Sequence, residues 1–208
     1  MKTTLKIALA VLLSPWLISG CGRTEPTEHS GHTSQETDYA RPEAPAFTLT
    51  DHTGKVHNLA DYKEKIVVLE WVNPECPFVV RHYEAGTMVN LAEAYADQEV
   101  VWLAVNTTSH FNQEKNKEFA EKYDLPYPVL DDHDGTVGRR YDAKTTPHMF
   151  VVDKAGRIAY NGAIDDDPQG NKAERIHYVK NAIDGVLSDR PVTTAETKPY
   201  GCTVKYAN

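Results

Sequence analysis

The sequence predicts an α/β fold, a mixed central sheet with helices on both faces. Three observations lead there. The run 66–72, rich in β-branched and apolar residues, and the continuous apolar run 100–105 have the length of buried strands. Helical patterns alternate with them, and that alternation calls for a sheet covered on each side. A hairpin pattern, 148–153 and 158–161 around Lys154-Ala155-Gly156-Arg157, then leads to a last amphipathic helix.

The elements follow in order. Residues 46–50 alternate like a strand, turn at 51–55 and return through 56–59 as a hairpin. The run 66–72 breaks at Asn73-Pro74, presents Cys76, and meets Pro77 as the first residue of a helix. That helix places Val80, Tyr83, Met88, Leu91, Ala92 and Tyr95 on a helical repeat, with Gly86 as its weak point. Residues 112–123 read as a helix with Phe119 and Ala120 inward. Residues 125–130 pass Pro126 and Pro128 into a short strand ending at Asp131, and 137–141 fit one or two helical turns. The last helix, 171–187, puts Ile176, Val179, Ile183 and Leu187 on one stripe. From Asp189 the chain is polar and unperiodic.

Four segments result: a signal peptide at 1–20, a linker at 21–44, a domain at 45–190 and a tail at 191–208. Lys2 and Lys6 precede an apolar run too short to span a membrane as a mature helix. Leu17-Ile18-Ser19-Gly20-Cys21 resembles a bacterial lipobox, which implies lipidation of Cys21 and a place in the cell envelope, facing periplasm or exterior. The linker holds almost nothing to bury, so it reads as a flexible tether, His29 and His32 included. Without Lys2 and Lys6 the 22 basic residues fall to 20, against 30 acidic ones. So acidic a chain, lacking any basic stripe, argues against a nucleic-acid partner. Neither Asp165-Asp166-Asp167 nor Asp131-Asp132-His133-Asp134 has the ligand ladder of a calcium loop. No metal and no cofactor are expected.

The chemistry rests on sulfur. Cys76 at a helix start faces free backbone N–H groups and the positive end of the helix dipole, both of which favour thiolate. With Cys21 lipidated, Cys202 is the other thiol, in a compartment that should be oxidising. The pair reads as a redox couple or as a structural bridge, the latter worth roughly 4–5 kcal/mol by loop closure. Glu70 is the odd residue of its strand, costly to bury unless protonated or paired. It reads as a proton acceptor near the cysteine turn or as a strand-end residue with a lysine partner.

Three pieces carry a family resemblance. Residues 44–49 with Gly54-Lys55, Leu59 and Asp61-Tyr62-Lys63 resemble the opening of redoxins. The turn at 73–77 stands where the thioredoxin fold keeps its active site. Thr146-Pro147, ahead of His148-Met149-Phe150-Val151-Val152-Asp153, looks like the loop in which that fold holds a cis-proline beside its active sulfur. The tail, Pro199-x-Gly201-Cys202-x-Val204-Lys205, taken with Cys76-Pro77-Phe78-Val79 and His82-Tyr83, is similar to the peroxiredoxin-like (alkyl hydroperoxide reductase/thiol-specific antioxidant) family.

The resemblance implies a thioredoxin-like fold and a substrate loop of Thr146, Pro147 and His148, with His148 approaching the sulfur. It implies an arginine near the attacking cysteine, for which Arg81, Arg139 and Arg140 are candidates. Two departures stand out: Asn73 replaces the first cysteine of a dithiol turn, and Leu69 and Asn73 replace the proline and threonine of typical peroxiredoxins. That asparagine can still donate a hydrogen bond.

The expected function is a thiol oxidoreductase in which Cys76 reduces peroxide, Asn73 helps hold the departing oxygen and Cys202 resolves the product. Its partners are then a peroxide or protein disulfide substrate, an external dithiol reductant, and the membrane through the lipid anchor. Thiol-disulfide exchange in the envelope is the alternative of the same class. A copper- or partner-binding protein, using thiolate and His148, is the alternative of another.

Overall fold

The computed structural model describes residues 41–207. The signal peptide, Cys21, the histidines of the linker and most of the linker itself lie outside the described residues. Strands β1 (Thr48–Asp51), β2 (Val56–Asn58), β3 (Ile66–Val72), β4 (Val100–Asn106), β5 (Val129–Asp131), β7 (His148–Val152) and β8 (Ile158–Gly162) form one sheet. Their order is β2-β1-β5-β4-β3-β7-β8. A second sheet joins β6 (Thr145–Thr146) to β9 (Cys202–Thr203).

All seven residues of β3 are buried, six of them apolar and the seventh Glu70. It runs parallel to β4 and antiparallel to β7, so it sits at the centre of a mixed sheet. Its side chains alternate between two cores. Ile66, Val68 and Val72 pack with α1 (Pro77–Glu84), α2 (Thr87–Tyr95), α3 (Gln113–Lys122) and α5 (Tyr178–Leu187). Val67, Leu69 and Trp71 pack on the other face with Phe47 and with Val137 and Tyr141 around α4 (Thr136–Arg140).

The break at Gly86 is complete. Gly86 adopts φ +68°, a conformation glycine takes without steric cost, and this ends α1 and starts α2 at a new angle. Asn112 caps α3 by accepting the Lys115 N–H, and Phe119 and Ala120 face inward as their spacing predicts.

Two expectations need correction. The last helix starts at Tyr178 rather than near 171, and Ile176 is 50% exposed instead of lying on its buried stripe. The cause is competition for backbone donors. The Asp167 carboxylate accepts the N–H groups of Asn171 and Lys172, and Asp166 accepts that of Ile176, which fixes this stretch as a loop.

The tail, polar and unperiodic in sequence, is docked along its length. Asn161 and Ala195 pair through their backbones, as do Thr197 and Asn161. Gly162 makes this approach possible, since a Cβ there would lie 2.2 Å from Thr197 Oγ1. Further on, Lys205 accepts the Ser109 N–H, and the Tyr206 hydroxyl donates to Ala143.

Candidate active site

The strand end, the turn and the helix start are built to hold one sulfur. Asn73 accepts the Glu75 N–H through its side chain and the Cys76 N–H through its carbonyl, which closes the turn. Cys76 then takes extended angles as the residue before α1, and its carbonyl accepts the first helical N–H, that of Val80. The Cys76 sulfur lies 2.9 Å from the Thr146 carbonyl, and the residue is only 1% exposed. The Thr146–Pro147 bond beside it is cis.

The second sulfur arrives by strand pairing. In the β6–β9 ladder Cys202 stands directly opposite Thr146, which brings the end of the chain to the start of α1. Gly201 fits because it has no side chain: a Cβ there would sit 2.1 Å from the Thr146 oxygen. Both cysteines are free thiols, Cys76 buried and Cys202 partly exposed.

Their acidities diverge. Burial pushes the Cys76 thiol up, but hydrogen bonds from the Cys202 thiol, the Val79 N–H, the Thr146 side chain and the Cys202 N–H together outweigh it. The net direction is below an ordinary thiol. The Thr146 carbonyl acts the other way, since it can hold only the protonated form. Cys202 is pushed up to about 11 by burial, by its bond to Cys76 and by the charge there. The two directions are opposite, Cys76 towards thiolate and Cys202 towards thiol.

Glu70 shares a face with Val68 and Val72, and burial raises it to about 7 against the hydrogen-bonding of Trp102 and Tyr83. Its Oε2 accepts the Trp102 indole N–H at 2.8 Å. Oε1 has no partner of hydrogen-bond geometry among the described residues, with the Tyr83 hydroxyl as its polar neighbour. No hydrogen bond links Glu70 to Cys76, and the lysine partner considered for it is absent among the described residues.

The profile of the AhpC/TSA family matches residues 41–161, more than half of the chain. The protein belongs to the AhpC/TSA family. A thiol-disulfide oxidoreductase ResA from Geobacillus thermodenitrificans is 35% identical over 116 residues, 55% of this chain and 64% of that protein. The chain thus spans somewhat less than two thirds of that relative. The peroxiredoxin Bcp of Bacillus subtilis is 28% identical over 131 residues, 55% of this chain and 78% of that protein. Among solved structures, a hypothetical protein from Sinorhizobium meliloti 1021 superposes with a TM-score of 0.74 at 28% identity, covering 80% of this chain and 94% of that one.

Within this AhpC/TSA chain the other sequence-predicted residues separate. Cys76, Thr146, Pro147 and Cys202 come together, with Asn73 shaping the turn. His148 does not join them. It alternates to the far face of the sheet, where its ring packs on Phe150, Nδ1 accepts the Lys144 N–H and Nε2 donates to Asn161 Oδ1 at 2.7 Å. Burial lowers it to about 4, so it is a neutral, packed histidine. Its parity with Phe150 along β7 was the available signal.

The arginines have other work. Arg81 donates to the carbonyls of Pro168 and Asp167, and Arg139 is held by Asp134, Ala207 and the face of Tyr206. Arg140 is exposed. Sequence reading weighed Asp165 only as part of a calcium loop and gave Tyr200 no role, yet that carboxylate and the Tyr200 hydroxyl meet at 2.6 Å beside His82. Among the described residues no group of three or more metal-type side chains gathers, and no helix is long and apolar enough to cross a membrane.

Proposed function

We propose that this protein is a peroxide-reducing thiol oxidoreductase whose working couple is Cys76 and Cys202. The observation that carries the reading is the division of properties between the sulfurs. The sulfur favoured as thiolate is buried, whereas the partly exposed one is held protonated. A buried thiolate admits a small oxidant and excludes a folded protein. A partly exposed thiol near 11 is a poor attacker of protein disulfides at neutral pH.

The Cys76 thiolate attacks one peroxide oxygen. The O–O bond breaks, Cys76 becomes a sulfenic acid, and hydroxide leaves and takes up a proton as water. Oxidation removes the Cys76 charge that helped hold Cys202 protonated. The Cys202 sulfur attacks the sulfenic sulfur, an S–S bond forms, the S–O bond breaks, and the leaving hydroxide takes the thiol proton as water. In this reading the backbone N–H groups at the start of α1, that of Val79 among them, steady the departing oxygen, and Asn73 assists by shaping the turn. An external dithiol attacks the partly exposed Cys202 sulfur, because Cys76 is the better leaving thiolate, and its second thiol then breaks the mixed disulfide and frees Cys202.

Likeness to thiol-disulfide oxidoreductases supports a second reading, exchange with protein disulfides. Copper binding through His148 has no support in a ring whose nitrogens are both engaged across the sheet. We further propose export and lipidation at Cys21, with 21–44 as the tether of a domain at 45–190. This rests on the lipobox-like sequence ahead of Cys21.

One experiment separates the first two readings. Reduced protein receives one equivalent of hydrogen peroxide with a sulfenate trap, and its peptides are weighed. The expected products are a Cys76–Cys202 disulfide in the wild type and trapped Cys76 sulfenate in Cys202→Ala. A Cys76 that stays a thiol in peroxide while the protein reduces a folded disulfide substrate would transfer the assignment to exchange.

A further inference from the structure

The β6–β9 ladder that carries Cys202 is two residues long, too short to fix a sulfur by itself. The residue that secures it is two positions upstream. The Tyr200 hydroxyl donates to Asp165 Oδ1 at 2.6 Å and lies 2.9 Å from His82 Nε2. The shorter contact is that of a hydroxyl donating to a carboxylate, so His82 Nε2–H is the donor to Tyr200. Arg175 pairs with the other Asp165 oxygen at 3.4 Å. The Tyr200 ring also packs on Phe78 and His82.

Those partners have a particular origin. Phe78 and His82 belong to α1, the helix that Cys76 begins, and His82 and Asp165 are almost wholly buried. The tail is therefore registered against the same rigid element that carries the attacking sulfur. We propose that Tyr200 is a positioning residue that presents the Cys202 sulfur to Cys76 by tying the tail to α1. Its role is to raise the effective concentration of one thiol at the other. This inference rests on the Cys76–Cys202 couple proposed above, but not on peroxide as its oxidant.

The test uses the full chain and Tyr200→Phe, which keeps the ring and removes only the hydroxyl. In mixtures of reduced and oxidised glutathione, the dithiol and oxidised glutathione exchange to the intramolecular disulfide and two reduced glutathiones. Alkylation and mass then give the equilibrium constant. Loss of a hydrogen bond to a carboxylate is expected to lower it about tenfold. The Cys76 thiolate, read by its ultraviolet absorbance across pH, should titrate higher in the variant, because its Cys202 donor has loosened. His82→Gln, whose amide still donates, should stay close to wild type.

A Tyr200→Phe protein with unchanged equilibrium and unchanged Cys76 titration would overturn the proposal. A wild type that forms no Cys76–Cys202 disulfide at any glutathione ratio would overturn it together with the couple. A wild type that forms the disulfide in glutathione yet ignores peroxide would refute only the oxidant, and the shift in Tyr200→Phe would still stand as support.

Discussion

Thr146 faces Cys202 across the β6–β9 pairing while its carbonyl lies 2.9 Å from the Cys76 sulfur, so one residue touches both cysteines. The loop that in this fold borders the active sulfur here also serves as the landing strip for its partner. Five expectations follow from that geometry and from the groups around it.

Removing the partner changes the fate of Cys76 and leaves its first reaction in place. In Cys202→Ser, one equivalent of peroxide is still expected to be consumed. Excess peroxide should then carry Cys76 to the sulfinic acid, seen as a gain of two oxygens on its peptide. Wild type under the same excess should stop at the disulfide.

The Cys76 titration itself reports the neighbour. Hydrogen bonds from Cys202 help hold Cys76 below an ordinary thiol although burial pushes it up. In Cys202→Ala the side-chain donor is gone and the burial stays. The thiolate absorbance should therefore appear at higher pH than in wild type, and a shift downward would contradict the assignment.

Gly201→Ala forces a methyl to within 2.1 Å of the Thr146 oxygen at φ +133°. Backbone has to give, and the two-residue β9 is the weaker party. Alkylation of Cys202 by a neutral reagent should speed up and disulfide formation should slow at least about tenfold, as the lost proximity implies.

Glu70 writes a pH dependence into stability. Its folded value, about 7, stands above the ordinary 4.5 because of burial. The native state therefore binds more protons between these values. The favourable contribution is complete below about 4.5 and is lost as pH rises through about 7, by about 3 kcal/mol in all. Relative to wild type, Glu70→Gln should gain roughly that amount between about pH 5 and about pH 8. Urea unfolding at a series of pH values measures it, and parallel curves for the two proteins would refute it.

His148→Ala tests the far face. Both ring nitrogens are bonded and the ring is buried against Phe150, so the variant should lose about 2 kcal/mol of stability. Its Cys76 titration should be unchanged. A shifted Cys76 would restore the histidine to the site.

The parts of the molecule legible in the sequence are those written in periodicity and punctuation. The unbroken run at 66–72, the Asn-Pro break and Pro77 together specify strand, turn and helix. Thr146-Pro147 before an apolar run marked the neighbouring loop. Gly86 marked the division of α1 from α2. What stayed hidden depends on single side chains binding distant backbone. Asp166 and Asp167 capture N–H groups that would otherwise begin the last helix, and a hydrophobic stripe cannot register that competition. The docked tail is held by a threonine, a tyrosine and two glycines whose partners lie far away in sequence. No repeat of 2 or 3.6 could have shown it.

The order in which the two sulfurs are made has its own consequence. During synthesis Cys76 exists for most of the domain's length as a lone thiol, and its partner arrives only with the last strand. Residues 193–196 just upstream of that strand are exposed. A single cut there would spare every strand of the seven-stranded sheet and leave the segment that carries Cys202 held only by its non-covalent contacts. Pairing of the two sulfurs therefore needs the chain as far as Cys202, and a chain cut short of it would carry Cys76 alone.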